Sequence, residues 1–487
     1  MSTRSPSPRR AHSRSQSARA LRERAQWALR AHNPPTTPIG IGSWANELGE
    51  RQARAVIDLS LRVGEAMLST GASAADVVAT VLRLMSAYDV HSAHVDITYT
   101  SITVSMHRGV DDDPLSVMRI VRTRAADYTR LQRLQELVRA VVEENLGADE
   151  ARAQLDGILR SPHPYNRGIV AWAFALMAGG ITGLLGGGIV MIVISTLTTA
   201  LIDRVQRWLA ERGLAAFFSQ AVGGAIPTSV AVGLYAAQSA GVEVVGGISP
   251  SLVVATGIIV LLTGLSVVGS AQDALDGYYV TAGARILEVL MMTLGVVAGV
   301  LGVLALAAQL GVPMSISTAV GLNPGLFVTV GATLFTAFMF CISTYTGFRA
   351  TIVGMLTAGL GWVVYYSGSE LGFGRPTASA VAALVIGAVA QLVGHRLRVP
   401  SLVVTTAGII PLLPGTPVYR GLFEMLQGGG TGVNATEGLP GLVEAGAVGL
   451  ALAGGVSLGT FLGRPARTAL DRSMRRALRR SRSHARQ

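Results

Sequence analysis

Up to about residue 165, apolar and polar positions alternate with the periods of a soluble fold; from Gly168 onward the chain is almost continuously apolar. Ala55, Leu59, Val63 and Ala66 recur at helical spacing until Ser69-Thr70-Gly71 ends the run. Ser73 then caps a second predicted helix, with Asp76 at its third position and Val77, Val81 and Leu84 on its inner face. Between residues 91 and 107 the period drops to two. Val95 and Ile97, then Ile102, Val104 and Met106, predict two short strands with a slip of phase near Thr100. Gly109 and Asp111-Asp112-Asp113-Pro114 make a turn, and residues 115–121 read as a third strand. Leu131, Leu134, Leu137, Val138 and Val141 mark a further helix, and residues 148–159, opened by Gly147 and Asp149, another. The expectation is a small α+β domain over 45–165, preceded by a disordered Arg/Ser-rich tail, 1–44.

The apolar region divides into ten candidate spans, about 168–187, 188–202, 214–237, 250–269, 286–308, 325–343, 348–367, 376–394, 401–423 and 440–462. The charges of the intervening loops fit this count. One set of loops carries Arg204, Arg207 and Arg212, then Arg285, Arg349, Arg396 and Arg398, then the arginine-rich tail 464–487. The opposite set holds Glu243, Glu370, Glu437 and Arg375. Basic loops stay in the cytoplasm. Both termini and the α+β domain are therefore expected inside, with a mostly α, polytopic membrane architecture.

Composition agrees. The chain is 50% hydrophobic and only 14% charged, against about 25% in soluble proteins. All 40 basic residues are arginine, and 17 of them lie in the two tails, 1–32 and 464–487. Such flanks set topology and touch anionic lipid, and they are read that way rather than as nucleic-acid contacts. Gly179, Gly183 and Gly187 form a small-residue stripe suited to close helix packing. The single cysteine, Cys341, lies in an apolar stretch and reads as a buried hydrophobe. No apolar signal segment opens the chain.

One phrase occurs twice: SLVVATGIIVLLTG at 251–264 and SLVVTTAGIIPLLPG at 401–415. The copies fall in the fourth and ninth spans, an odd separation, so they run oppositely through the membrane. Two five-helix halves, 166–310 and 311–463, in inverted topology would place a substrate site where the repeats meet. The second copy is the sharper candidate. Pro411, Pro414 and Pro417 cannot sit in an unbroken helix. Backbone freed at membrane depth is tolerated only where protein or a wet cavity receives it. Pro411, Pro414, Gly415, Thr416 and Tyr419 are thus candidate substrate-binding residues, with Thr263 and Gly264 as weaker ones in the first copy. Asp273 and Asp276 share a helical face, as do Arg285 and Glu288. Acid–base groups beside a broken span suit proton coupling, though solvated interfacial charges read equally well.

Two other chemistries have thinner signals. His91, His94 and Asp96 invite a metal reading, but on a strand His91 points away from the other two and no fourth ligand is evident. Ser101, among Thr98, Thr100, Thr103 and Ser105, lacks a nucleophile elbow. No motif calls for a cofactor.

Three stretches resemble the threonine/serine exporter family. They are Gly71 through Asp76-Val77 with Val95-Asp96-Ile-Thr-Tyr-Thr-Ser-Ile-Thr-Val; Leu261-Leu262-x-Gly264 with Asp276-Gly277 and Gly283-x-Arg285; and Val399-Pro400 leading to Ile410-Pro411-Leu-x-Pro414-Gly415-x-x-Val418-Tyr419. The resemblance covers most of residues 50–462. It implies a ten-span bacterial inner-membrane exporter of L-threonine and L-serine, driven by the proton motive force, with a cytoplasmic N-terminal domain that has been compared with hydrolases. Thr263-Gly264 departs from the family's Pro-Gly in the first half. A membrane-anchored hydrolase acting through 45–165, and an exporter of a dicarboxylate or short peptide, stand as alternatives, and a homo-oligomer stays open.

The arginine asymmetry yields a direct test. Reporter fusions after residues 165, 210, 347 and 470 should read cytoplasmic, and those near 243, 370 and 435 external. A cytoplasmic signal at 370 would break the ten-span count.

Overall fold

The structure is a computed structural model. It describes residues 50–90, 93–106, 114–121, 125–241, 249–261, 264–312, 314, 325–397, 399–427 and 435–484. His91, the turn at 109–113 and Thr263 lie outside the described residues.

The first part of the chain builds around one helix. α1 (Glu50–Ser69) is buried on nearly every side, through Val56, Ile57, Leu59, Leu61, Val63, Met67 and Leu68. That face is wider than the stripe read from the sequence, because α2 (Ala74–Ala87), a three-stranded sheet and two later helices approach it from different directions. Ser73 caps α2 as expected, its Oγ accepting from the Asp76 N–H at 3.2 Å. Strands β1 (Ala93–Thr98), β2 (Ser101–Met106) and β3 (Leu115–Ile120) pair antiparallel in that order. The phase slip is the turn at Tyr99-Thr100, closed by the Thr98–Ser101 pair. Ile97, Ile102, Val104, Met106 and Leu115 face the core. Arg119 of β3 reaches back to Glu65 at 2.7 Å and Asp58 at 2.9 Å on α1. α3 (Tyr128–Glu144) and α4 (Ala148–Arg160) complete this part.

Then come α5 (Arg167–Leu184), α6 (Ile189–Glu211), α7 (Ala216–Ser239), α8 (Pro250–Leu261), α9 (Gly264–Leu275), α10 (Tyr279–Gln309), α11 (Leu326–Ser343), α12 (Phe348–Glu370), α13 (Arg375–Leu397), α14 (Ser401–Ile409), α15 (Gly415–Gln427) and α16 (Ala435–His484). Among the described residues, nine stretches are long and apolar enough to cross a membrane, or ten if α14 and α15, bent by 41° at a short break, form one span. Exposed Leu290, Leu294, Leu306, Phe327, Leu356 and Leu458 give the outer faces the character that lipid tails accept. The protein is a polytopic, mostly helical membrane protein. Two boundaries move from expectation. The second span continues through Glu211 instead of stopping at 202, and the fifth begins at Tyr279. Both extensions carry charges that a hydropathy reading trims away.

Small residues set the helix spacing, as membranes require where no hydrophobic force draws helices together. Gly179 of α5 lies against Ile192 and Thr196 of α6, while Gly180 faces Phe335 and Thr336 of α11. α7 packs on α10, and α13 on α16. The first of these contacts is so close that a Cβ at Gly224 would stand 2.5 Å from the Val296 carbonyl oxygen.

The N-terminal part touches both stretches of membrane helices. Backbone N–H groups of Tyr128 and Thr129 donate to the Thr344 and Tyr345 carbonyls at 3.1 and 3.2 Å, in the turn between α11 and α12. Tyr345 holds a left-handed conformation, φ +54°, and His163 stacks on its ring at 4.4 Å. His163 Nδ1 lies 2.9 Å from the buried carboxylate of Asp127. Burial between these elements pushes the Tyr128 phenol up to about 12. On the other side, Thr281 Oγ1 of α10 donates to the Ile97 carbonyl at 3.3 Å, and the Tyr99 hydroxyl donates to Glu288.

Gly224→Leu should force α7 from α10. The expected loss is roughly 1–3 kcal/mol from overpacking, read as a lower unfolding temperature of the purified protein in detergent, while Gly233→Leu, whose Cβ would meet open space, should change little.

Candidate functional site

The three prolines around residue 414 sit where each costs least. α14 passes into a single 3-10 turn, Ile410–Leu412, with Pro411 near its start. Leu413 is then extended, and Gly415 opens α15 with Pro417 in its first turn. First-turn N–H groups have no intrahelical acceptor, so proline loses nothing there. The chain rejoins through Gly415 N–H to Leu413 O at 2.8 Å and Val418 N–H to Pro414 O at 3.2 Å. Gly415 is buried against α8: a Cβ on it would lie 2.7 Å from Ile259 Cγ2. The break in the second copy of the repeated phrase is therefore pressed onto the first copy.

A cavity of about 1280 Å³ opens beside this contact, larger than the roughly 300–1,000 Å³ of ordinary ligand pockets. Pro411, Pro414, Gly415 and Thr416 line it. Its walls recur along the chain. Val170, Ile181, Leu184 and Leu185 of α5 line it, and so, at one constant separation, do Thr329, Phe340, Ser343 and Thr344. Asp203, Gln206, Arg207 and Glu211 of α6 line it, and so, at that same separation, do Trp362, Tyr365, Tyr366 and Glu370 of α12. Ile259, Val260, Leu265, Ser266 and Val267 match Ile410, Pro411, Thr416, Pro417 and Val418 in the register of the repeat. The wall is polar and charged along α6, aromatic along α12.

Other candidates stand elsewhere. Tyr419 is 1% exposed and packs on Phe423 at 4.9 Å, inside an apolar cluster with Val254 and Ile258. Gly264 opens α9. Asp273, Asp276, Arg285 and Glu288 lie outside the cavity wall as described. Asp273 is 1% exposed, and its Oδ2 lies 3.2 Å from Arg285 Nη1. Gly269 makes room for that guanidinium, since a Cβ there would stand 2.6 Å from Nη1. Arg285 thus pairs across to α9 rather than along its own helix to Glu288, which is exposed and accepts from Tyr99. Asp276 is exposed at the end of α9. Burial, then the carboxylates of Asp276, Asp273 and Asp96, raise the Tyr278 phenol above its ordinary range. His94 and Asp96 lie on the outer face of the sheet, where His94 pairs in register with Ser105 and Ser101 with Thr98.

Because the apolar run stops at 202, Asp203, Gln206 and Glu211 draw no notice in the sequence and Arg207 reads as a loop charge. The spacing of three and four residues places Asp203, Gln206 and Arg207 on one helical face, and that was the available signal. Trp362, Tyr365 and Tyr366 were hidden in an apolar span.

Two outcomes test this geometry. Pro414→Ala with Gly415→Leu should heal the break and fill the contact with Ile259. Transport should fall at least about tenfold, roughly 1.4 kcal/mol in the limiting barrier, with membrane expression retained; normal transport would reduce the break to a packing kink. Arg285→Gln should lower stability by removing the cation that pairs with the buried Asp273 carboxylate, and Asp273→Asn with Arg285→Gln should recover part of the loss, as measured by thermal unfolding.

Comparison with known proteins agrees with the architecture. A family model for threonine/serine exporters matches residues 58–307, and a second, described as Threonine/Serine exporter, ThrE, matches residues 328–462. A Mycobacterium tuberculosis (strain ATCC 25618 / H37Rv) protein named "Probable threonine/serine exporter" is 37% identical over 439 residues, covering 88% of this chain and 80% of its own. The Corynebacterium glutamicum protein named "Threonine/serine exporter" is 34% identical over 400 residues, covering 81% and 80%. No solved structure matches. With a polytopic helical body and matches along nearly its whole length, the chain belongs to the threonine/serine exporter family, a family of transporters and not of enzymes.

Proposed function

We propose that this protein exports L-threonine and L-serine across the bacterial plasma membrane as a proton-coupled secondary transporter. Its two five-helix halves are inverted repeats, its termini and N-terminal domain are cytoplasmic, and its substrate passes through the cavity at the two broken spans. The observation that carries this reading is the composition of the cavity wall. Positions from α5, α6, α8 and α9 line it together with their counterparts from α11, α12, the 3-10 turn Ile410–Leu412 and α15. A second support is a shared turn. Gly187 N–H donates to Thr182 O at 2.9 Å, and Thr346 N–H donates to Cys341 O at 2.8 Å. The residue before each donor, Gly186 and Tyr345, is left-handed. Helix partners correspond too: α5 with α6 and α11 with α12, α7 with α10 and α13 with α16. The two copies of the phrase then cross where inverted-repeat transporters bind substrate.

For coupling, the buried Asp273–Arg285 pair is the best-placed acid–base group, with Asp276 and Glu288 beside it. Protonating Asp273 would free Arg285, and a carboxylate that changes charge within the membrane suits a proton relay. Anionic lipid would hold the basic tails.

The test is efflux from cells fed threonine- or serine-containing dipeptides, with and without an uncoupler. The wild type should export both amino acids and lose net export when the gradient collapses. Asp273→Asn and Asp276→Asn should weaken that dependence while sparing threonine–threonine exchange. Ser101→Ala should behave as wild type. Abolition of efflux by Ser101→Ala, with both carboxylate variants unaffected, would place the working residues in the N-terminal domain.

A further inference from the structure

The two sides of the cavity wall differ in chemistry although they correspond in position. α12 contributes Trp362, Tyr365 and Tyr366, where α6 contributes Asp203, Gln206 and Arg207. On a rise of 1.5 Å per residue, Asp203 stands roughly 21 Å along α6 from Ile189, toward the helix end that leads to Arg212. Asp203 and Arg207 form an ion pair at i, i+4, their side chains 23% and 45% exposed. Gln206 is fixed between them, its Nε2 donating to the Ser219 carbonyl at 3.3 Å and to Gln220 Oε1 at 3.4 Å.

We propose that Asp203 and Arg207 are the residues that take hold of the amino acid's two charged ends on the cytoplasmic side: Asp203 receives the α-ammonium and Arg207 the α-carboxylate. The assignment rests on the exporter reading and on the orientation that goes with it. An internal ion pair is the natural receiver for a zwitterion. The pair opens, each member takes the opposite charge of the ligand, and two ion pairs replace one with no charge left uncompensated. That balance matters in a partly dehydrated cavity, where an unpaired charge is costly. Arg207 can meet the carboxylate with two parallel N–H groups. A dicarboxylate would bring an unmatched negative charge, so the same pair selects against it. An i, i+4 pair on a helix surface contributes little to stability, so losing it should leave the fold intact and expose the effect on the ligand.

Inside-out vesicles carrying the full-length protein present this side of the cavity to the medium. Initial uptake of labelled L-threonine would be measured with N-acetylthreonine, which lacks the ammonium, and threonine methyl ester, which lacks the carboxylate, as competitors. Asp203→Asn should raise the threonine KM about tenfold or more and abolish the preference for threonine over N-acetylthreonine. Arg207→Gln should do the same with the methyl ester. The double variant should be no worse than the more severe single one, because the two act as a unit. Wild-type KM and wild-type discrimination in both variants would overturn the assignment. Should either variant fail to reach the membrane, Gln206→Cys gives a second reading: Cys341 is buried, so a polar thiol reagent reports position 206, and threonine must slow its labelling several-fold. Absence of protection also overturns the assignment. If wild-type vesicles carry neither threonine nor serine, the exporter reading itself fails, an outcome distinct from a wild type that transports and variants that match it.

Discussion

A helix that stops partway through a bilayer leaves N–H and C=O groups that hydrocarbon cannot satisfy. Most of the membrane part is arranged around meeting that constraint at Leu413-Pro414. The prolines remove donors that would otherwise need partners. Gly415 N–H finds Leu413 O, and the small Gly415 lets α15 lie directly on Ile259 of the other copy. What remains polar borders the cavity. The wall of the cavity and the solution to the backbone problem thus share one set of residues, Pro411 through Thr416.

Close approach elsewhere follows from the same economy of side chains. Gly179 and Gly180 are adjacent on α5, yet one faces α6 and the other α11. That geometry ties α5 to α6 on one side and to α11 on the other. The contacts of Gly224 with Val296, and of Gly387 with Val456, do the same for outer pairs. Because carbonyl oxygens rather than flexible side chains occupy the space a Cβ would need at Gly224 and Gly387, those two positions tolerate no larger residue without moving a helix.

Much of this was legible in the sequence for identifiable reasons. The repeat and its prolines are local, and long apolar runs bounded by arginines mark spans directly. The strand pair showed in Val95, Ile97, Ile102 and Val104 because alternation survives wherever one face of a sheet is buried. Three features were illegible. α6 was cut short at Asp203, since hydropathy treats a charge as an end even where it faces a cavity. The packing of Tyr419 on Phe423, beside Val254 and Ile258 of the first copy, has no signal in the phrase itself. Arg285 was matched to Glu288 by spacing alone, whereas its partner Asp273 lies across a helix boundary.

The turn after α5 is Gly186-Gly187-Gly188, and that after α11 is Tyr345-Thr346-Gly347. Glycine suits the left-handed position, so Tyr345 at φ +54° needs compensation. The N-terminal part supplies it: His163 stacks on the ring, Thr129 N–H donates to the Tyr345 carbonyl, and the Tyr165 hydroxyl reaches the Thr346 carbonyl at 3.1 Å. The corresponding glycine turn packs instead on its own helices, where Gly187 leaves no room beside Thr182 and Leu252. Duplication would provide two equivalent turns, and only the one reached by the N-terminal part can carry side chains. Ser343, Thr344 and Tyr345 also line the cavity, so the contact that holds the turn bears directly on the wall beside it. The two turns are thus held differently, one by packing among helices and the other by the N-terminal part of the chain.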